Sequence, residues 1–379
     1  MHVAHLVDSL HWGGAEKWIA SFSEAAKSRD LNVTVMSLQP FVENNPYRTQ
    51  MESLGVTVKA FSIKRLYDPA ALPTLKRTLR TGKFDILQTH LSHSNILGTI
   101  AARRVGVPVV ATLHSTHLST RGHYFSRSLV EQLILRYGAH RVIAVGRSVA
   151  EAHRYRFGNK AIDIVPNGIK PGVELSTSER DKLRIELAGD PTRNLVIAVG
   201  RLVPLKGYAE LLSAFAQVKT NHPKAFLVVV GDGRMRPELE VQVKALKLAE
   251  DVRLPGLRTD VPQILAAGDI FVNSSYWEGL SMAMLEAMAA GLPIMATSVG
   301  EAPYLLAEGR GLLVQPRNAN SLAAGLATLL DSSTTREKMG TSARSFCESN
   351  YSLGPWLDKI MEVYTCAQNM QSGRRVSLA

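Results

Sequence analysis

The stretch NSSYWEGLSMAMLEAMAAGLPIMATSVG, residues 273–300, combines a turn, an apolar run and two carboxylates. Glu278 lies in the part rich in Ser and Gly, and Glu286 lies within the run of Ala, Met and Leu. The preceding IFVNSS is typical of a buried strand and SMAMLEAMAA of a helix, so YWEGL is predicted to be a strand-to-helix turn. The first amides of such a helix are free donors with partial positive charge. The stretch therefore predicts a site for phosphate oxygens.

The two carboxylates of this stretch each need a partner. Glu278 precedes the predicted helix terminus, where a carboxylate accepts hydrogen bonds from neutral donors such as sugar hydroxyls. An ionised carboxylate among apolar side chains is costly unless it is paired. A ribose diol would satisfy Glu286, as it does the acidic residue of dinucleotide sites. A structural pair with a buried Arg or with backbone donors is the alternative.

A second strand-to-helix connection carries two cations. Arg201 follows the strand NLVIAVG, and Lys206 precedes the helix YAELLSAFAQV. Ligands bind beyond the carboxyl ends of the strands in open α/β sheets. An Arg fork and a Lys point charge at that position suit a pyrophosphate, although loops also carry such residues for solubility. Phosphate clamp, helix terminus and carboxylates together indicate a sugar nucleotide rather than a bare nucleotide.

The chain has 379 residues, of which 45% are hydrophobic and 20% are charged. This composition is globular, and the length predicts two domains. Short apolar runs alternate with helix-like segments, which predicts an α/β fold with parallel sheets. Residues 167–193, rich in Gly, Pro, Ser and charge, suit a boundary between domains. The runs that predict strands are HVAHLV, VTVMSL, FDILQTH, PVVATLH and RVIAVG, then NLVIAVG, AFLVVVGDG, IFVNSS and PIMATS.

The positive charge is confined to the first half. Up to Val173 the chain has 22 Lys and Arg against 11 Asp and Glu, and the remainder has 22 of each. Ten of the eleven histidines also lie in the first half. Such asymmetry indicates a surface that meets something anionic, and a solubilising surface is the plainer explanation.

A basic amphipathic segment, residues 69–83, belongs to this half. Its leucines fall at helical spacing, and Lys76, Arg77, Arg80 and Lys83 take the other face. Such a helix can lie on an anionic membrane, but more often it packs its leucines on the core.

Several features indicate a cytoplasmic protein. The N-terminus lacks a signal-peptide pattern, and no apolar run is long enough to cross a bilayer. Cys347 and Cys366 suit free thiols in a reducing compartment, and no metal-type spacing joins them to histidines.

Several motifs together resemble a family 4 retaining glycosyltransferase of the GT-B fold. In the second half these are GRLVPLKG, VGDG and EGLSMAMLEAMAAGLPIMAT; in the first half they are LHWGGAEKWIASF, TLHSTH and VPNGI. The resemblance covers most of the chain. It implies two Rossmann-like parallel-sheet domains facing across a cleft. Residues 1–172 would form the acceptor-side domain, residues 173–355 the nucleotide-sugar domain, and residues 356–379 a C-terminal helix and tail crossing back to the first domain.

The resemblance also implies roles for residues of the second half. Arg201 and Lys206 would neutralise the donor diphosphate. Glu278 would act in catalysis and hold the transferred sugar, and Glu286 would bind the ribose. The amides that would hold sugar and phosphate belong to Gly279, Leu280 and Ser281.

From the first half, the resemblance implies one catalytic residue and a loop. His114 would contact the sugar from the opposite domain, and Gly13 and Gly14 would let the first loop approach the donor. Weaker candidates are Trp12, Trp277, His117 and His123, because gap-filling explains the tryptophans as well and a surface role explains the histidines.

The predicted enzyme is a retaining, metal-independent transferase. No Asp-x-Asp pair that could hold a metal occurs, so cations and a helix terminus are expected to replace one, with no cofactor. The expected donor is a UDP-sugar, favoured on frequency alone, with GDP-mannose as alternative. The expected acceptor is a saccharide or a polyprenyl-diphosphate-linked saccharide in cell-surface polysaccharide or lipopolysaccharide synthesis, reached from an anionic membrane surface through the basic half.

Two other functions stay open at the level of sequence. A nucleotide-sugar 2-epimerase shares the fold and would isomerise the donor without an acceptor. A non-catalytic anion-binding protein would use the basic half to bind nucleic acid with steep salt dependence. The latter leaves the pair of glutamates unexplained, so no nucleic-acid partner is expected.

Overall fold

The computed structural model of the chain describes residues 1–11, 13–41, 45–63, 65–116 and 122–373, without the side chains of residues 122–125. The chain divides into two compact units. Unit 1 comprises residues 1–168 and 353–379, and unit 2 comprises residues 169–352. The sequence placed these boundaries a few residues later in each case.

Unit 1 contains a seven-stranded parallel sheet in the order β3-β2-β1-β4-β5-β6-β7. Its strands are β1 (His2–Val7), β2 (Asn32–Ser37), β3 (Thr57–Ala60), β4 (Ile86–His90), β5 (Val109–Leu113), β6 (Arg141–Ala144) and β7 (Ile162–Ile164). The connecting helices are α1 (Gly14–Lys27), α2 (Pro46–Ser53), α3 (Ala71–Gly82), α4 (Ser92–Val105), α5 (Gly122–Gly138) and α6 (Arg147–His153).

Unit 2 contains a six-stranded parallel sheet in the order β10-β9-β8-β11-β12-β13. Its strands are β8 (Asn194–Val199), β9 (Ala225–Val230), β10 (Val252–Gly256), β11 (Ile270–Asn273), β12 (Ile294–Thr297) and β13 (Gly311–Val314). Its helices are α7 (Thr177–Ala188), a 3-10 turn (Pro204–Lys206), α8 (Tyr208–Lys219), α9 (Arg236–Ala245), α10 (Val261–Ala267), α11 (Met282–Ala289), α12 (Ala302–Leu305), α13 (Ala319–Asp331) and α14 (Ser333–Tyr351).

The last helix, α15 (Leu353–Gln371), packs on unit 1. Trp356 meets Trp18 of α1 edge to face, with ring centroids 5.0 Å apart. The Tyr364 hydroxyl donates a hydrogen bond to the side-chain oxygen of Gln88 on β4. Because both contacts are buried, helix α15 is part of the core of unit 1.

Both sheets have the doubly wound arrangement, in which the strand order reverses next to the first strand. In unit 2 the reversal falls between β8 and β11, and in unit 1 between β1 and β4. Loops that follow those strands diverge to opposite faces and leave a crevice at the carboxyl edge. The predicted α/β class with two Rossmann-like parallel-sheet domains is confirmed. No helix among the described residues is both long and apolar enough to cross a bilayer.

Candidate active site

The loop after β8 carries both predicted cations of unit 2. Arg201 is exposed, and Lys206 ends the 3-10 turn and is half-buried. The neighbouring loop after β9 lies very close, because a Cβ on Gly231 would come within 2.0 Å of the Gly200 carbonyl oxygen. Glycine at residue 231, where φ is +141°, thus keeps the two loops in contact.

The loop after β11 contacts the loop after β8 through Lys206. The Lys206 ammonium lies 2.5 Å from a carboxylate oxygen of Glu278, and the Ser275 hydroxyl donates to the same oxygen at 3.1 Å. The Ser274 hydroxyl donates to the Lys206 carbonyl at 2.8 Å. A predicted diphosphate-binding cation and a predicted sugar-binding carboxylate, 72 residues apart in sequence, are therefore in direct contact.

A third loop, which follows β12, supports the same turn. Gly300 has φ +56°, and a Cβ there would lie 2.4 Å from the Glu278 carbonyl oxygen and 2.5 Å from that of Gly279. The Glu301 amide donates to the Gly279 carbonyl at 3.1 Å. The backbone at 278–279 is thus fixed from both sides, and glycine is required at 300 for both space and conformation.

The helix that follows this turn begins at Met282, with Ser281 as its N-cap. The Ser281 hydroxyl accepts the Met284 amide at 3.4 Å, so one of the first free amides is already capped. Gly279, Leu280 and Ser281 are all buried. The three predicted amides at 279–281 therefore precede the first helical residue, at the end where the helix dipole is positive.

Glu286 has a simple placement on this helix. Its neighbours Leu285 and Ala287 are buried, but Glu286 is only partly buried and shares its face with Ala283 and Ala290. Residues three, four and seven apart lie on one side of a helix, so this face is open while the rest packs. Glu286 is consequently not enclosed in the core as its apolar neighbours are.

Two polar groups near this site were not anticipated from the sequence. The Tyr208 hydroxyl would lie 2.8 Å from a Cβ on Gly200, and burial followed by the charge of Glu278 raises the pKa of Tyr208 above its ordinary value. Ser275 was also missed. The position of Tyr208, directly after the Lys206–Gly207 turn at the start of a helix, is the signal that could have found it.

In unit 1, the predicted catalytic His114 directly follows β5. Its Nε2 lies 2.9 Å from Nδ1 of His90, the last residue of β4. Burial lowers the pKa of His114 to about 4, so the ring is neutral near pH 7. Gly13 is the N-cap of α1 and Gly14 its first residue; a Cβ on Gly14 would meet nothing within 4 Å.

The structure thus groups Lys206, Glu278 and Gly279 in unit 2, with Arg201 in the same loop as Lys206. His114, Gly13 and Gly14 belong to unit 1, and their part in a shared site stays a prediction. Trp277 is half-exposed. Trp12, His117 and the side chain of His123 lie outside what the structure describes. Within the described ranges, no group of three or more His, Cys, Asp or Glu side chains is placed to hold a metal ion.

These features define a class: a two-unit α/β protein with a paired cation and carboxylate beside a helix N-terminus, as suits a nucleotide sugar. Comparison with protein families gives the same answer. Residues 12–172 match "Glycosyltransferase Family 4", and residues 179–346 match "Glycosyl transferases group 1". The chain belongs to the family 4 glycosyltransferases, as the sequence motifs predicted, and is a glycosyltransferase.

Relatives of known name agree with this assignment. The chain is 28% identical over 320 residues to the UDP-Gal:alpha-D-GlcNAc-diphosphoundecaprenol alpha-1,3-galactosyltransferase of Escherichia coli, covering 80% of this chain and 81% of that one. It is 29% identical over 290 residues to D-inositol 3-phosphate glycosyltransferase of Pseudarthrobacter chlorophenolicus, covering 71% and 68%. Both are glycosyltransferases.

Solved structures share the fold. Anabaena Alr3699/HepE in complex with UDP-glucose superimposes with a TM-score of 0.84 at 24% identity, covering 96% of this chain and 99% of that one. The glycosyltransferase WaaG, involved in lipopolysaccharide biosynthesis, superimposes with a TM-score of 0.69 at 17% identity, covering 96% and 100%. The GT-B fold is therefore confirmed.

Proposed function

We propose that this enzyme transfers a sugar from a UDP-sugar to a saccharide linked to a polyprenyl diphosphate, with retention of anomeric configuration and without a metal. The contact between Lys206 and Glu278 carries this proposal. Lys206, which we assign to the diphosphate, and Glu278, which we assign to the transferred sugar, are neighbours in it, at the edge of the sheet where α/β folds bind nucleotides.

The UDP donor is supported by relatives. The galactosyltransferase of E. coli uses UDP-Gal, and Anabaena HepE is known with UDP-glucose bound. GDP-mannose is the alternative donor, and a thermal-shift panel of UDP, GDP and their sugars separates the two.

Charge neutralisation is assigned to side chains of unit 2. The ammonium of Lys206 contacts the carboxylate of Glu278. When the donor binds, a phosphate oxygen takes that ammonium, and Arg201 supplies a second, forked cation. The carboxylate released from Lys206 then accepts hydrogen bonds from the sugar hydroxyls.

The reaction needs no covalent intermediate in this scheme. The bond between the anomeric carbon and the diphosphate oxygen breaks, and the acceptor hydroxyl oxygen bonds to the same face of that carbon. The acceptor proton passes to the departing diphosphate oxygen. Arg201, Lys206 and the amides at 279–281 stabilise the negative charge that develops on the leaving group.

The test combines product geometry with metal removal. NMR of the isolated product is expected to show the anomeric configuration of the donor, and turnover is expected to persist in excess EDTA. An inverted anomer contradicts retention, and loss of turnover that added Mg²⁺ or Mn²⁺ restores contradicts metal independence. Isomerisation of the donor without acceptor would instead establish the 2-epimerase.

A lipid-linked acceptor implies a membrane-facing surface, and unit 1 has a suitable one. Helix α3 is less suited, because its Leu75 and Leu79 are buried in the core. A group of exposed apolar residues lies on α5, which presents Leu129, Leu133 and Tyr137 to solvent. Large exposed apolar patches mark interaction sites.

We name this surface the α5 face: Leu129, Val130, Leu133 and Tyr137, which lie on one side of the helix. The exposed Arg136 adjoins it, and α3, with its basic residues, packs against the same helix α4 as α5 does. Apolar side chains beside arginines suit an anionic lipid surface. The proposed location is therefore the cytoplasmic face of a membrane, bound peripherally.

A further inference from the structure

Three histidines form a chain across the middle of the sheet of unit 1. His5 lies on β1, His90 at the end of β4, and His114 just beyond β5. His5 Nδ1 is 3.1 Å from His90 Nε2, and His90 Nδ1 is 2.9 Å from His114 Nε2. These strands are neighbours, and each histidine lies two residues further toward the carboxyl edge than the one before. Such a step keeps all three side chains on one face of the sheet.

The inner end of this chain is enclosed by aromatic rings. His5 contacts Phe22 at 4.5 Å and Trp18 at 5.8 Å between ring centroids, and Trp18 also contacts His90 at 4.9 Å. His5 Nε2 is buried and has no hydrogen-bond partner among the described residues. The outer end, His114, is partly exposed.

All three rings are neutral near pH 7. Burial lowers the pKa of His5 to about 3 and that of His114 to about 4. Burial, with the charges that His114 and His5 would carry, also lowers the pKa of His90 well below its ordinary value. Each ring therefore has one protonated nitrogen, which donates a hydrogen bond, and one bare nitrogen, which accepts one.

One N–H per ring allows only two directions of donation along the chain. In the outward direction, His5 Nδ1 donates to His90, His90 Nδ1 donates to His114, and the His114 proton lies on Nδ1. In the inward direction, His114 Nε2 donates to His90, His90 Nε2 donates to His5, and the His5 proton lies on Nε2. In both directions His5 Nε2 is left unpaired inside the aromatic cluster formed by Trp18, Phe22 and Trp356. The two directions differ in whether that nitrogen carries a proton.

The aromatic cluster favours the outward direction. It already holds two indole N–H groups, at Trp18 and Trp356, without an acceptor among the described residues. The inward direction would add a third N–H with no acceptor, and buried unpaired donors are rarer than unpaired acceptors. The outward direction leaves only a bare ring nitrogen at His5.

We infer that His5 and His90 are positioning residues that fix the neutral tautomer of His114, so that His114 presents an Nδ1–H donor to the ligand. The inference rests on the proposed function for the statement that a sugar nucleotide is the ligand. His114 would then donate a hydrogen bond to an oxygen of the donor and would not take the acceptor proton. His90 acts only through His114.

The first test is the tautomer itself. Protein labelled with ¹⁵N-histidine reports, by long-range ¹H–¹⁵N correlation at pH 7, which nitrogen of each ring carries the proton. The expected result is protonated Nδ1 in His5, His90 and His114. Protonated Nε2 in His114 overturns the inference whether or not the enzyme is active.

Variants then test the direction of the chain. His90→Phe removes both hydrogen bonds, so His114 is expected to populate both tautomers and kcat to fall about tenfold with little change in donor KM. His90→Gln can still donate to His114 and accept from His5, and is expected to restore the Nδ1–H tautomer. An unchanged tautomer in His90→Phe overturns the inference.

Two further variants separate folding from positioning. His5→Phe suits the aromatic cluster and removes only the donor to His90, so it is expected to shift the His114 tautomer. This variant replaces His90→Phe in the test if His90→Phe does not fold. His140→Phe replaces a buried histidine at the opposite edge of the sheet, beside the Val109 amide, and is expected to leave that tautomer unchanged. If His114→Ala retains full activity, the proposed role of His114 in catalysis fails, but the tautomer measurement stands.

Discussion

The two units hold their predicted site residues by different interactions. In unit 2 the functional groups are charged and paired between loops, as with Lys206 and Glu278. In unit 1 they are histidines held neutral by burial and joined to one another. A diphosphate needs countercharge, whereas a neutral imidazole can offer an uncharged ligand atom one donor of defined direction. This difference is what the proposed roles of Lys206 and His114 would use.

Loss of the Glu278 carboxylate in unit 2 is expected to lower activity more than any other change proposed here. Glu278→Gln removes the carboxylate that we assign to the sugar, so kcat/KM is expected to fall by about 100-fold or more. Steady-state kinetics with the donor varied measure it. The matched control is Glu308→Gln, an exposed glutamate of unit 2 paired with Arg310, which is expected to keep full activity. Equal losses in both variants would contradict the assignment.

A backbone change sharpens the account of unit 2. Gly300→Ala places a Cβ against two carbonyl oxygens and at positive φ, so the free energy of unfolding is expected to fall by about 3 kcal/mol. Gly309→Ala, at φ +77° with open space around it, meets only the conformational cost of about 1 kcal/mol. Urea unfolding compares the two variants, and equal losses would refute close packing of the third loop.

The histidines of unit 1 predict a difference in acid sensitivity. Burial lowers the pKa of His5 and His153 below the ordinary value of 6.5. As pH falls, these histidines therefore take up protons in the unfolded state before they do so in the folded state. Their contribution to stability is complete above about pH 6.5 and is lost as pH falls toward 4. At pH 5.5 the loss is about 1 kcal/mol for each of His5 and His153. As pH is lowered, hydrogen exchange corrected for intrinsic rates is expected to show that amides of unit 1 lose protection before those of unit 2, whose single histidine is His222. Simultaneous loosening would contradict this.

The smallest expected effect concerns the α5 face. Leu133→Glu is expected to weaken binding to vesicles of anionic lipid at low salt by about tenfold, since burying a leucine is worth about 1.5 kcal/mol or more. Val241→Glu on α9 of unit 2, where the apolar side chain is even more exposed to solvent, is the control and is expected to bind as the parent does. If the parent is not recruited to such vesicles, the membrane proposal fails.

The strands that the sequence revealed and those it did not differ in one respect. All nine predicted strands are interior strands of the two sheets, and the four missed, β3, β7, β10 and β13, are the described edges. Interior parallel strands are covered on both faces and form continuous apolar runs. Edge strands such as β3, with exposed Thr57 and Lys59, lack that pattern.

Some residues of the two units have a local sequence signal, and others are brought together only by the fold. Lys206 and Glu278 could be predicted because each lies in a strand-to-helix turn with its own sequence signal. The histidine chain could not, because His5, His90 and His114 are brought together by strand order alone. His90 ends the run FDILQTH without any local sign of a partner. Side chains that act through neighbours across a sheet become visible only with the fold.

Binding of the donor diphosphate by the cations of unit 2 underlies every role proposed for this site. Isothermal titration calorimetry of UDP into the parent, Lys206→Met and Arg201→Met, all in EDTA, tests it directly. The parent is expected to bind UDP, and each variant to bind about tenfold or more weaker, since a hydrogen bond to a charged group contributes about 1.5–3 kcal/mol. Unchanged affinity in both variants, or binding by the parent only after a divalent metal is added, would contradict the account.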